Sequence, residues 1–177
     1  MTILASLSRA AARVFDWPAL HVRPLAPSER TLLPPAMAAA IDLDAVRIVR
    51  RFHNPIAACF NQSVVRGARI FWAKAPDEAA TPAERAHLVH ELVHVWQYRH
   101  LKLTGPEILL HRRYQYELKS GVGFADFGYE QQAAIVEDAF RMKAGLAPRW
   151  GKSQHHEDYE RVIASCVDCR PVRRLDA

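Results

Sequence analysis

Apolar residues recur at helical spacing at the start of the chain, where Ile3, Leu4, Leu7, Ala11, Val14 and Phe15 line one face before Asp16-Trp17-Pro18 interrupts the pattern. This predicts a short amphipathic helix followed by a linker, over residues 1–24. Residues 28–40 have helical composition broken by Pro34 and Pro35, because proline lacks the amide proton and clashes with the preceding turn. Apolar runs rich in β-branched residues then predict strands over 45–51 and 64–72. His53, Asn54, Pro55 and Asn61 supply turn chemistry between them, so a hairpin or small meander is expected.

The clearest helix start is Thr81-Pro82-Ala83-Glu84. Threonine can cap, proline suits the first helical position, and glutamate three residues on completes a capping box. The helix can continue to Thr104-Gly105-Pro106, where glycine and proline end it. Residues 107–118 fit helix or strand, and 120–128 contain three glycines and read as a loop. Further helices are predicted over 129–143, ending near Gly145, and over 153–165. The tail from 166 to 177 is polar and basic. This organisation describes one α+β domain over residues 25–165, and a 177-residue chain buries enough surface to hold a core without help from a metal.

Inside the capped helix stands Val89-His90-Glu91-Leu92-Val93-His94-Val95-Trp96, an H-E-x-x-H motif with uncharged flanks. Histidines four apart lie one turn above each other, so both imidazoles can reach one zinc ion, and the glutamate between them sits where an activated water would be. That division of labour belongs to hydrolytic zinc peptidases, with Glu91 as general base. At about 100° per residue Leu88, Val89, Leu92, Val93, Val95 and Trp96 share a broad apolar arc, and His87, His90, Glu91 and His94 share the opposite one. The apolar arc is expected to be buried and the polar arc to floor a cleft. Four of the nine histidines lie between His87 and His100, so a merely His-rich surface is the competing reading. His87 is expected to lie beside the site or on the surface rather than to bind metal.

A catalytic zinc has three protein ligands and one open position, so a third ligand must come from elsewhere. Glu130 is the best placed on the helix over 129–143, because Ala133 and Ala134 allow that helix to approach closely. Glu137, His155, His156 and Asp126 remain alternatives. If Glu130 binds, Glu137 and Asp138 become candidates to orient the ring N–H of His90 or His94. Tyr114, Tyr116 and Tyr129 are candidate donors to an oxyanion, with aromatic packing as their commoner role.

The two motifs together resemble the gluzincin branch of zinc metallopeptidases, in which H-E-x-x-H is completed by a glutamate on a later helix with a small residue three positions on, as in Glu130-Gln131-Gln132-Ala133. More narrowly, His90-Glu91-Leu92-Val93-His94-Val95-Trp96-Gln97 with that second motif resembles the metallopeptidase domain associated with extracellular contractile injection systems and bacterial Vgr-related proteins. The resemblance covers about residues 25–140. It implies a minimal zincin-like fold, a small sheet packed on the active-site helix and closed by the ligand helix, with zinc bound by His90, His94 and Glu130. It also implies peptide or protein substrates and partners in a contractile injection or secretion assembly. The sequence departs from many gluzincins at Ala134, where they carry an acidic residue. The alternative is a metal-stabilised scaffold protein of such an assembly with little turnover. A peptide deformylase reading lacks its upstream cysteine motif and glycine-rich strand.

The remaining composition narrows the partners. A net charge of +5 and a pI near 9.4 come from scattered basic residues, densest at Arg47, Arg50, Arg51 and at Arg170, Arg173, Arg174, with no nucleic-acid-binding motif around them. A solvated surface is expected, without nucleic acid. The longest apolar run, 32–41, is far short of the roughly 20 residues of a membrane span. Three cysteines, Cys59, Cys166 and Cys169, and an N-terminus lacking secretory-signal features point to a reducing cytoplasm, with signal-independent export still open. Cys166-Val167-Asp168-Cys169 is a lone C-x-x-C, expected to be reduced and incidental unless His155 and His156 complete a structural zinc site.

Overall fold

A computed structural model describes residues 22–100 and 113–168. The expected N-terminal helix, the end of the long helix near Gly105 and the tail with Cys169 lie outside the described residues. Strand β1 (Val22–Pro24) opens the fold, followed by a 3-10 turn over Pro27–Thr31 and helix α1 (Pro35–Ala40). The prolines at 34 and 35 thus divide the expected helical segment in two, and Pro35 occupies the first position of α1, where no amide proton is needed. Next come β2 (Arg47–Val49), helix α2 (Pro55–Cys59), β3 (Val64–Arg66) and β4 (Arg69–Phe71). The long helix α3 is Pro82–His100, α4 is Tyr129–Lys143, and α5 is His156–Ala164, with a last 3-10 turn over Ser165–Asp168.

The sheet order is β1-β2-β4-β3. Two expectations are corrected here. Residues 64–72 form two strands rather than one, because Gly67 takes a left-handed φ of 59° and reverses the chain. The chain from β2 also does not return as its hairpin partner: β2 and β4 are parallel, with Ile48 opposite Ile70, and α2 lies in the crossover. Asn54 caps α2 by accepting from the amide of Ala57 at 2.8 Å.

Val46, Ile48, Val65 and Ile70 turn one face of the sheet into a core shared with Leu88, Val89, Leu92 and Val93 of α3. Helix α4 packs on α3, and its residues Ala133, Ala134 and Ile135 are fully buried. Residues 86 and 88–97 of α3 are all buried. His87, His90, Glu91 and His94 of the polar arc line a cleft, as expected, with the last three buried at its base. Thr81 and Glu84 form the expected capping box: Glu84 donates its amide to Thr81 Oγ1 at 3.2 Å, and Glu84 Oε2 accepts from the Thr81 amide at 2.9 Å. Among the described residues no helix is long and apolar enough to cross a membrane.

Candidate metal centre

His90, Glu91 and His94 are 6%, 5% and 6% exposed, and Glu130 of α4 is 7% exposed. The helix pitch brings His90 Nε2 and His94 Nε2 to 3.1 Å from each other. Glu130 Oε2 lies 3.3 Å from the first and 3.2 Å from the second. Zinc bonds of about 2.0–2.2 Å in a tetrahedron separate their ligand atoms by about 3.3 Å, so this triangle has the dimensions of three zinc ligands. Among the described residues these three form the one group of histidine, cysteine and acidic side chains whose ligand atoms converge in this way.

The outer ring nitrogens are fixed by neighbours. His94 Nδ1 lies 2.7 Å from Gln97 Oε1, and Gln97 Nε2 donates to the Tyr129 carbonyl and to Gln132 Oε1, each at 2.9 Å. An amide oxygen can only accept, so the proton of His94 is on Nδ1 and the Nε2 lone pair faces the triangle. His90 Nδ1 lies 3.1 Å from Glu137 Oε2, within ion-pair distance although not aligned as a hydrogen bond. Glu137 is held in turn by Trp150 Nε1, which donates to Oε2 at 2.9 Å.

As protein groups alone, burial disfavours a charged His90 ring, but the Glu130 and Glu137 carboxylates beside it outweigh that cost and raise its pKa to about 10. Burial likewise opposes ionisation of Glu130 and Glu137, and the adjacent histidines hold both below the usual carboxylate range. Two imidazoles and a carboxylate converging in this way could hold a divalent cation.

A cleft of about 890 Å³ opens over this group, lined by His87, Glu91, Tyr114, Tyr129 and Trp150 among others. The Tyr129 ring stacks on His94 with centroids 4.3 Å apart, and Tyr114 lies between His90 and Trp150, 5.9 Å from the first and 4.6 Å from the second. Burial and the Glu130 carboxylate raise the Tyr129 phenol well above its ordinary value, so it stays a donor.

Several expected candidates are placed elsewhere. Tyr116 is buried in the core and donates to Asp138 at 2.6 Å. Asp138 orients neither histidine; it also accepts from the amides of Arg149, Trp150 and Gly151 at 2.6, 3.0 and 2.8 Å, which ties the 149–151 segment to α4. Asp126 is exposed and accepts from the Gly123 amide, while His155 is exposed and His156 pairs with Glu160. None of these joins the triangle. Cys59 is exposed and Cys166 half-buried. Gln97, Trp150 and Ser63 are the site neighbours that sequence reasoning misses. The available signal for Gln97 is a lone amide three residues after the second histidine of the motif, following the apolar Val95-Trp96.

No protein-family model matches the chain. It is similar to the type VI secretion system spike protein VgrG2b of Pseudomonas aeruginosa, with 38% identity over 63 residues, which are 31% of this chain and 6% of that protein. The chain thus corresponds to a small part of that relative's length. Among solved structures it resembles the effector domain of Pseudomonas aeruginosa VgrG2b, with a TM-score of 0.61 over 90% of this chain and 94% of that domain at 21% identity, so the two share a fold.

Proposed function

We propose that the chain is a gluzincin-type metallopeptidase domain in which His90, His94 and Glu130 hold zinc and Glu91 is the general base. We further propose that it acts on peptide or protein substrates as the effector part of a bacterial type VI or related contractile secretion assembly. The observation that carries the chemistry is the triangle of three buried ligand atoms 3.1–3.3 Å apart, with the Glu91 carboxylate in the same cleft. The similarity to a spike protein and to its effector domain supports the assembly.

Bound zinc supplies Lewis acidity, polarising a scissile carbonyl and making water acidic enough to attack near neutral pH. The other steps belong to side chains. Glu91 accepts a proton from the attacking water on a carboxylate oxygen and returns it to the departing amine nitrogen. Gln97 and Glu137 keep the His94 and His90 rings turned with Nε2 inward. Tyr129 and Tyr114, both in the cleft, are the phenol donors available to a developing oxyanion.

Glu91→Gln tests the mechanism because that side chain is needed for turnover but not for holding the metal. Zinc content by mass spectrometry is expected to be close to one per chain in both proteins. Cleavage of a diverse peptide library should fall by about 10²–10⁴ in rate in the variant, with chelator-treated wild type as control. Equal cleavage by both would defeat the mechanism. No cleavage by either would favour the scaffold reading.

A further inference from the structure

His87 is not part of the triangle, yet its ring lies against three neighbours. It precedes Glu91 by four residues on α3, so the two share a helix face. Its Nε2 lies 2.9 Å from Ser63 Oγ, just before β3, and 3.8 Å from Glu91 Oε1. The ring meets Trp72 edge-on with centroids 4.7 Å apart.

We infer that His87 is a positioning residue for Glu91, sharing an Nε2–H donor between Ser63 Oγ and the Glu91 carboxylate. Its catalytic consequence rests on the peptidase reading above; the contact itself does not. A neutral imidazole carries one N–H, and Ser63 Oγ and Glu91 Oε1 face the same ring nitrogen of His87. With the proton on Nδ1, a bare lone pair on Nε2 would face a carboxylate oxygen. With the proton on Nε2, Ser63 accepts and the carboxylate sees the positive end of the N–H dipole. Burial lowers the pKa of His87 and favours the neutral ring that this arrangement uses.

The 3.8 Å separation is longer than a hydrogen bond, and contacts of this kind tighten when substrate closes the site. A glutamate has three side-chain torsions to lose, so holding Oε1 leaves the other oxygen directed for proton transfer. The Ser63 hydroxyl, serving as acceptor for His87, has its own proton left for a substrate carbonyl.

The test has two independent arms. In ¹⁵N-histidine-labelled protein, long-range ¹H–¹⁵N spectra should show His87 as the Nε2–H tautomer, and Ser63→Ala should leave it so because the carboxylate still selects it. An Nδ1–H tautomer in wild type, or a switch to it in Ser63→Ala, would overturn the contact. In the activity arm, His87→Phe keeps the ring against Trp72 and removes the donor, whereas His87→Gln restores an N–H at similar reach. His87→Phe should keep its zinc and lower kcat by about 10-fold to 100-fold with little change in KM, and His87→Gln should recover most of that loss. Full activity in His87→Phe, or equal losses in both variants, would overturn the positioning role. A wild type that cleaves nothing would sink the peptidase reading and the catalytic role with it, while the spectra still decide the contact.

Discussion

Gln97 is fully buried, and its amide is fully used: the oxygen accepts from His94, and the nitrogen donates to the Tyr129 carbonyl and to Gln132. One residue thereby couples His94 to the start of the helix that carries Glu130. At the same scale Glu130 and Glu137 are chemically identical and seven apart on one helix face, and only their reach separates them. Glu130 Oε2 faces both Nε2 atoms, and Glu137 touches the back of one ring. Glu130→Ala should therefore weaken zinc binding by much more than Glu137→Ala, whose loss should fall within about 10-fold to 100-fold. Competition with a chromophoric chelator measures both, and a larger loss in Glu137→Ala would reverse the assignment.

At the scale of elements, the site exists because α3 and α4 lie close together. Ala133 and Ala134 are fully buried and share a helix face with Glu130, so larger side chains there are expected to hold Glu130 away from His90 and His94. Ala134→Leu is expected to cost about 1–3 kcal/mol of stability by overpacking and to weaken zinc binding in the same protein. Chemical denaturation of chelator-treated protein gives the first quantity and chelator competition the second. Unchanged zinc affinity would mean that Glu130 reaches the triangle without this close approach. Ala134 also stands where the resemblance to gluzincins leads one to expect an acidic side chain. Glu137, on the next turn, supplies the carboxylate beside His90 instead.

Across the whole molecule, the proposed metal binding would be coupled to folding through protons. The raised pKa of His90 means that, without metal, its protonated form contributes stability fully below about 6.5, and this contribution is lost as the pH rises towards about 10. Zinc bound as proposed would have to displace that proton, whereas Glu130 and Glu137, held below the usual range, are already ionised near neutrality. The increase in Tm produced by a fixed excess of zinc should therefore be larger at about pH 8 than at about pH 6. Thermal unfolding of chelated and zinc-loaded protein at the two values measures it. An increase that shrinks with pH would mean that no ligand proton is released.

Helical periodicity and the capping box determined α3, and glycines at 128 and 145 bracket an α4 that follows the expected bounds. These are local signals, set by bonds and side chains a few residues apart, and the H-E-x-x-H spacing is local in the same sense. Strand pairing was decided at longer range. The apolar patterns of residues 45–51 and 64–72 do not by themselves make β2 lie parallel to β4, because that choice depends on α2 in the crossover and on a common apolar face against α3. The same holds for the surroundings of the ligands. Tertiary packing put Glu137 rather than Asp138 beside His90, turned Asp138 to the 149–151 amides, and brought Ser63 to His87 from 24 residues away. Residue type gives each of these groups its capacity to donate, accept or bind metal, and the packed backbone decides which partner lies within three ångströms or so of it.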